Sequence, residues 1–365
     1  MNYYSSMDGL NHILQCRWNV ALSTTHVSGV KEREFPNGKG CILDLYYKFE
    51  EEMNRKWHPN VNLGAAVSGD QLLTDHGVEH VKSVIAHAKD ILSDIERLNG
   101  YEIYLLLVSI HFHDLGNISG REQHEQKIAE IIDKMGNDLP LDTSEKELVT
   151  SIATAHGGYV DKLTRNKDTI RQVSPDTHYD GISIHPKVLA SILRFADEIS
   201  DDLNRSNFNG IDIPRENEVY HEYSKALTPV SILGDTIRFK FRIPYDLTQK
   251  KIGKGNEEIF LYDEILNRMS KCMCELEYCR KYANGLIRPT TLDITIDVLK
   301  EGSSFQIIRD MGDSFRLTLH GYPNKNTSGL FDYLDVDDDS TGNTKSLKYE
   351  DGDSLCSAIK EKEEK

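Results

Sequence analysis

The sequence predicts a mainly α protein, with a helical bundle core at 74–209 followed by an α+β extension at 210–333. Three observations carry this. Between about 76 and 203 apolar residues recur at three- and four-residue steps, which puts them on one face of a helix. Beyond about 210 the spacing falls to every second residue in several short runs, the mark of half-buried strands. From Asp335 the chain turns polar and acidic, including Asp337-Asp338-Asp339, so 334–365 is expected to be a disordered tail.

Residues 1–73 mix short apolar stretches with Gly and Asn, and one helix is expected at about 41–56; the segment reads as a helical cap or insertion over the core. Val81, Val84, Ile85, Ala88, Ile91, Leu92, Ile95 and Leu98 then predict an amphipathic helix over about 76–98, stopped near Gly100. Residues 102–113 are nearly all apolar and predict a buried central helix ending at His113-Asp114. Another helix is expected at about 121–135, stopped by Gly136. Ser144 and Glu147 suggest a capping box for a helix at about 145–156, closed by Gly157-Gly158. Pro186 suits the first turn of a helix at about 186–203. The stretch between, 157–184, is long for a connection and carries Lys162, Arg165, Lys167 and Arg171; it is either a lid or a solvated loop.

In the extension, Ile237, Phe239, Phe241 and Ile243 alternate with Arg238, Lys240 and Arg242, predicting a half-buried strand with a basic outer face. A long helix is expected at about 256–284. Alternation returns at Leu292-Ile294-Ile296-Val298 and at Phe315-Leu317-Leu319.

Bulk properties exclude several classes. The longest strongly apolar run, Ile103 to Ile110, is too short to span a bilayer, so no membrane partner is expected. Met1-Asn2-Tyr3-Tyr4-Ser5-Ser6 lacks the basic-then-apolar layout of a secretion signal, which makes a cytoplasmic location the expectation. The six cysteines form no Cys-x-x-Cys pair and are read as reduced thiols rather than a disulfide framework or zinc knuckle. A net charge of −16 argues against binding long nucleic acid. It leaves room for a small anionic substrate, because metal ions and a few Arg or Lys can reverse the field inside a pocket. Homo-oligomeric assembly is left open.

The chemistry concentrates around His113-Asp114. Upstream lies His80, on one predicted helical face with Val84 and Ala88. Downstream come His124, His156 and Asp197, the last following Leu193 by four and Ala190 by seven. An acid on an apolar stripe is expensive to bury unless it is paired or metal-bound. Imidazole and carboxylate together, with no Cys among them, suit borderline-to-hard divalent metals. His76, one helical turn before His80, competes with it as ligand or stands behind it. His87, His111, His178 and His185 are read as structural or surface residues.

The order H…HD…D, with Leu193-Arg194-x-Ala196-Asp197 around the last acid, resembles the HD superfamily of metal-dependent phosphohydrolases over roughly residues 74–205. The resemblance implies an HD-type helical bundle in which His80, His113, Asp114 and Asp197 bind one divalent metal (Mn, Mg, Co, Ni, Fe or Zn). His124 and His156 would complete a second site bridged by Asp114, or act on the phosphate. His124, His156 and Asp114 are therefore the catalytic candidates, with Arg121, Lys127 and Arg194 as candidates for the phosphoryl oxygens. Such a metal lowers the pKa of a water towards neutrality for in-line attack on phosphorus. The run His113-Asp114-Leu115-Gly116-Asn117 with His124-Glu125 is similar to deoxynucleoside triphosphate triphosphohydrolases. His76-Gly77-x-x-His80 with an α+β extension looks like HD modules of bacterial conflict systems. The implied substrate is a nucleotide: a (d)NTP cut to nucleoside and tripolyphosphate, or alternatively a cyclic nucleotide or dinucleotide. A non-catalytic nucleotide sensor is the reading outside enzymes.

Overall fold

A computed structural model describes residues 9–24, 33–61, 76–120, 123–136, 139–201, 213–300, 306–307, 311–319, 330, 333–334 and 347–363. They fall into two compact units.

The first unit is helical and comprises the described parts of Met1–Gly69, His76–Ser200 and Cys279–Ile287. Its helices are α1 (Leu10–Thr24), α2 (Ile42–Glu52), α3 (Val78–Asp90), α4 (Gly100–Phe112), α5 (His124–Met135), α6 (Thr143–Thr154) and α7 (Pro186–Glu198). Every residue of α4 is buried. A helix apolar all round needs neighbours all round, and it meets α1, α2, α3, α6 and α7. The N-terminal helices, expected as a cap, thus belong to the same compact unit as the core. Met53–Trp57 continues α2 as a π-helical turn.

Capping chemistry sets several boundaries away from those expected. The helix predicted to reach 98 ends at Asp90, since Asp94 accepts from the Glu96 amide and starts a separate short turn at Ile95–Arg97. The cap of α4 is a box between Asn99 and Glu102. That of α6 is a box between Asp142 and Glu145, not Ser144 and Glu147, so the helix begins and ends earlier and leaves His156 in the following turn. Pro186 sits in the first turn of α7 as expected, and α7 stops at Glu198 rather than 203.

The 157–184 stretch is an ordered strap. Its first turn is braced by Asp161, which accepts from the Leu163 amide and the Thr164 hydroxyl. It ends in a hairpin of β1 (Thr177–Tyr179) and β2 (Ile182–Ile184), where the Tyr179 hydroxyl donates to Asp142.

The second unit is α+β, as the alternating patterns predict. Its main sheet holds β3 (Ser231–Leu233), β4 (Thr236–Pro244), β7 (Thr291–Lys300), β8 (Gln306–Ile307) and β9 (Asp313–Thr318). Here β3 is antiparallel to β4, β4 parallel to β7, and β8 and β9 antiparallel to β7. A parallel pair needs a crossover. It runs through a small hairpin of β5 (Ile252–Lys254) and β6 (Glu257–Ile259), then the long α9 (Leu261–Tyr282), whose residues from Cys279 onward count with the first unit; α8 (Glu218–Ala226) comes before the sheet. The hairpin occupies the start of the predicted 256–284 helix. Ile237, Phe239, Phe241 and Ile243 are all buried.

Disorder from 334 onward does not hold for the last segment. Gly352–Glu363 is a helix, α10, which buries Leu355, Cys356 and Ile359 at helical spacing. Asp337-Asp338-Asp339 lie outside the described residues. None of the six cysteines, all described, forms a disulfide. Among the described residues no helix is long and apolar enough to cross a membrane.

Candidate metal centre

Five segments of the helical unit deliver the polar residues at its core. His113 is the C-cap of α4 and still helical; at Asp114 the chain leaves the helix (φ −103°, ψ 1°) into a tight turn at Leu115–Ser119. The two residues therefore approach one point from different backbone directions. His80 comes from the first turn of α3, Asp197 from the last turn of α7, and His156 from the turn after α6. His124 opens α5 behind Gln123, whose left-handed backbone (φ 55°) reverses the chain at a cost on the order of 1 kcal/mol.

The side chains make two adjoining donor groups: His80, His113, Asp114 and Asp197, and Asp114, His124 and His156. In the first, His80 Nε2 lies 3.1 Å from Asp197 Oδ1 and 3.3 Å from His113 Nε2. Asp114 Oδ2 completes it, 3.4 Å from His113 Nε2 and 3.5 Å from His80 Nε2. In the second, His124 Nε2 lies 3.2 Å from Asp114 Oδ1 and 3.3 Å from His156 Nε2. The two oxygens of one carboxylate thus serve different groups, and Asp114 lies between them.

The donor set fits a divalent cation. His113 Nδ1 donates to the Ile110 carbonyl and His156 Nδ1 to the Ala153 carbonyl, both at 2.6 Å. A carbonyl only accepts, so each Nδ1 carries the hydrogen and each Nε2 can present a lone pair to the cluster. Imidazole nitrogens 3.3 Å apart with facing lone pairs repel unless a proton or a cation lies between them.

Charge tells the same story. Burial disfavours a charged His113, but Asp114 and Asp197 outweigh it and push its pKa up to about 10. Burial would raise Asp114; His76 and His113 outweigh this and hold it well below the usual carboxylate range. His113 and His80 do the same for Asp197. His156 is lowered to about 4, by burial and then by His113 and His124. Without a cation, then, a proton on His113 offsets part of the charge of the two carboxylates. A metal bound there would displace that proton, so apparent affinity is expected to fall as pH drops. Calorimetry at pH 7 in buffers of different ionisation enthalpy should show release of about one proton per chain; a slope of zero would contradict this assignment.

Several neighbours carry roles that the sequence left unassigned. His76 Nδ1 donates to Asp114 Oδ2 at 2.6 Å, so it stands behind the shared carboxylate while His80 joins the donor group. Asn117 Nδ2 donates to Asp114 Oδ1 at 3.1 Å. A tight turn places residue i+3 back over residue i, and that was the readable signal for Asn117. At Gly116 a Cβ would fall 1.8 Å from the His124 carbonyl oxygen. Only glycine lets α5 come this close. Glu125 packs against Gly157 and Gly158, which joins the start of the strap to the His124 side of the centre.

The phosphate candidates lie differently. Arg194 is buried, and its Nη1 donates to Thr169 Oγ1 (2.8 Å) and the Lys167 carbonyl (3.1 Å), anchoring the strap. Lys127 Nζ caps the Ser119 and Gly120 carbonyls. Each thus braces a loop: Lys127 the turn before α5, and Arg194 the strap. Arg121 lies outside the described residues. Arg194→Ala is expected to destabilise the fold by about 2–4 kcal/mol, with no rescue by Lys, which lacks the planar fork. Urea titration checks this; unchanged stability with raised KM would return Arg194 to the phosphate. Two of the histidines set aside in the sequence have partners outside the donor groups. His111 is buried between Tyr46 and His58, and His185 Nδ1 donates to Glu102.

Among curated proteins and solved structures, nothing matches this chain at a significant level. A family model does: that of HD-CE, over residues 70–268, which takes in the whole donor cluster and runs past the expected core into the second unit. Since the match covers more than half of the chain, and the His-Asp pair at its centre sits among converging imidazoles and carboxylates, this protein belongs to the HD-CE family.

Proposed function

We propose that the protein is a metal-dependent phosphohydrolase acting on a nucleotide, with a (d)NTP as substrate and nucleoside plus tripolyphosphate as products. The observation that carries the reading is the division of the Asp114 oxygens between two donor groups, which suits two cations held close together, as in two-metal hydrolysis of phosphate esters. His80, His113, Asp197 and Asp114 Oδ2 would hold one cation; His124, His156 and Asp114 Oδ1 would hold the other. Divalent cations there supply positive charge to the phosphoryl oxygens and lower the pKa of an attacking water.

The chain's own residues prepare the site. His76 and Asn117 each hold one oxygen of Asp114, which fixes the plane of the shared carboxylate. The backbone carbonyls of Ile110 and Ala153 fix the rings of His113 and His156. The Asp197 side chain is 25% exposed, against 0–8% for the other members, so the centre meets solvent on its side. Support for the nucleotide comes from the His113-Asp114-Leu115-Gly116-Asn117 run and its likeness to triphosphohydrolases.

The test is a product assay by ion-exchange chromatography on metal-loaded protein. Pooled dNTPs, NTPs and cyclic mono- and dinucleotides are offered, with an EDTA-treated control. Nucleoside with tripolyphosphate is expected, lost in EDTA and restored by Mn²⁺, Co²⁺, Mg²⁺ or Ni²⁺. Linear nucleotides from cyclic ones would replace this reading with a phosphodiesterase. Full activity after thorough chelation would refute metal dependence, and turnover of nothing would leave a nucleotide sensor.

A further inference from the structure

The outer face of the main sheet in the second unit carries a concentration of cations that the metal chemistry does not use. Strand register lines them up. Ser231 of β3 pairs with Arg238 of β4, Arg238 with Asp293 of β7, and Asp293 with Arg316 of β9. This first row crosses four strands. The next row is Lys240, Thr295 and Ser314. Alternation sends Ile237, Phe239 and Phe241 to the opposite, buried face, so both rows share the outer one.

Asp293 sits between two guanidinium groups. Arg316 Nε is 2.6 Å from its Oδ1, and Arg238 Nε is 3.9 Å from its Oδ2. One carboxylate orients two arginines and neutralises one charge, and both arginine side chains stay 55% exposed. Lys348, held by the Gly312 carbonyl, adds a cation from beyond β9. These residues line a concavity of about 840 Å³, within the range that takes a nucleotide-sized ligand. Its wall holds four basic residues, Arg238, Lys240, Arg316 and Lys348, with two acidic ones, Asp293 and Asp313; Asp313 is buried and bound by the Tyr262 hydroxyl, and Lys240 Nζ lies 3.0 Å from Asp297 Oδ2 at the edge. Four cations gathered on one wall stand out in a chain of net charge −16. Paired arginines with neighbouring hydroxyls are the chemistry that recognises phosphate oxygens.

We propose that this concavity is a second ligand site, separate from the donor cluster, which binds a phosphate-bearing small molecule of nucleotide size. Arg238 and Arg316 grip its phosphates, with Ser231, Thr295 and Ser314 donating hydroxyl hydrogen bonds.

Isothermal titration of the full chain with ATP in EDTA tests this, since chelation removes cations from the donor cluster. Saturable binding at one site is expected, weakened at least tenfold by Arg238→Ala with Arg316→Ala, and unchanged by His113→Ala with Asp114→Ala. Lys240→Gln removes one charge at the pocket's edge, along with its pair to Asp297, and should weaken binding too, which keeps the test decisive if the arginine double variant does not fold. Four results would overturn the proposal. These are no binding at all, equal affinity in wild type and both pocket variants, or loss of binding in the His113/Asp114 variant. The fourth is binding only after Asp337, Asp338 and Asp339 are changed to Asn, which would make that acidic run, close in sequence to the pocket-lining Leu334, the occupant.

Discussion

Changing His113 and Asp114 together to Ala is expected to remove all bound metal and reduce hydrolysis by at least about 10³-fold, equivalent to about 4 kcal/mol of barrier. The size follows from the position of Asp114. Its two oxygens serve both donor groups, so neither group survives its loss, whereas loss of a residue that only orients a ligand costs about 10–100-fold. His76→Ala, which removes a partner of Asp114 Oδ2, is the comparison at that lower level. The fold should persist, because α4 is buried along its whole length by apolar contacts independent of the cluster. Metal content by mass spectrometry, rate and circular dichroism read the three quantities. Undiminished metal and rate in the double variant would remove the centre from this location.

Gly116→Ala is expected to have the second largest effect, although Gly116 touches no metal. The added methyl meets the His124 carbonyl oxygen at 1.8 Å and its carbon at 2.5 Å. Both are backbone atoms at the start of α5, so relief requires a shift of more than about 1 Å. Displacements of that size cost about 10²-fold in rate when they misplace a reacting group. The strain itself is worth about 1–3 kcal/mol. Bound metal should fall, with the loss confined to the His124 side, since only that side is pushed away. Gly9→Ala, where a Cβ meets nothing within 4 Å, is the control. A Gly116→Ala protein with full metal and normal rate would show that the approach of α5 does not set the second group.

Helix by helix, the cluster was readable where a polar residue interrupts an apolar stripe. His80 with Val84 and Ala88, and Asp197 with Leu193 and Ala190, face inward as their spacing requires, and all four apolar partners are buried. His156 was readable as inward but not as lying beyond its helix. That depended on which residue caps α6, and Asp142-Glu145 competes with Ser144-Glu147 at the same spacing. The roles of Arg194 and Lys127 were not readable. A cation near a motif looks alike in sequence whether it faces a pocket or a loop carbonyl, and its hydrogen-bond partners come from distant turns. Gly116 was hidden for a related reason, because its demand comes from a backbone atom eight residues away. The strap at 157–184 read as either a lid or a solvated loop; Thr169 and Tyr179 tie it to Ala155 and Asp142 by side-chain hydrogen bonds that composition does not encode. The final helix was obscured by averaging over an acidic segment, although Leu355 and Ile359 carry its period.

The central claim is that Asp114 joins two cation sites. Anomalous diffraction from crystals grown with MnCl₂ tests it most directly. The account predicts two peaks flanking the Asp114 carboxylate, about 3.5–4 Å apart, one beside His80 and His113 and the other beside His124 and His156. A single peak that leaves His124 and His156 without metal, or peaks that do not touch Asp114, would contradict it.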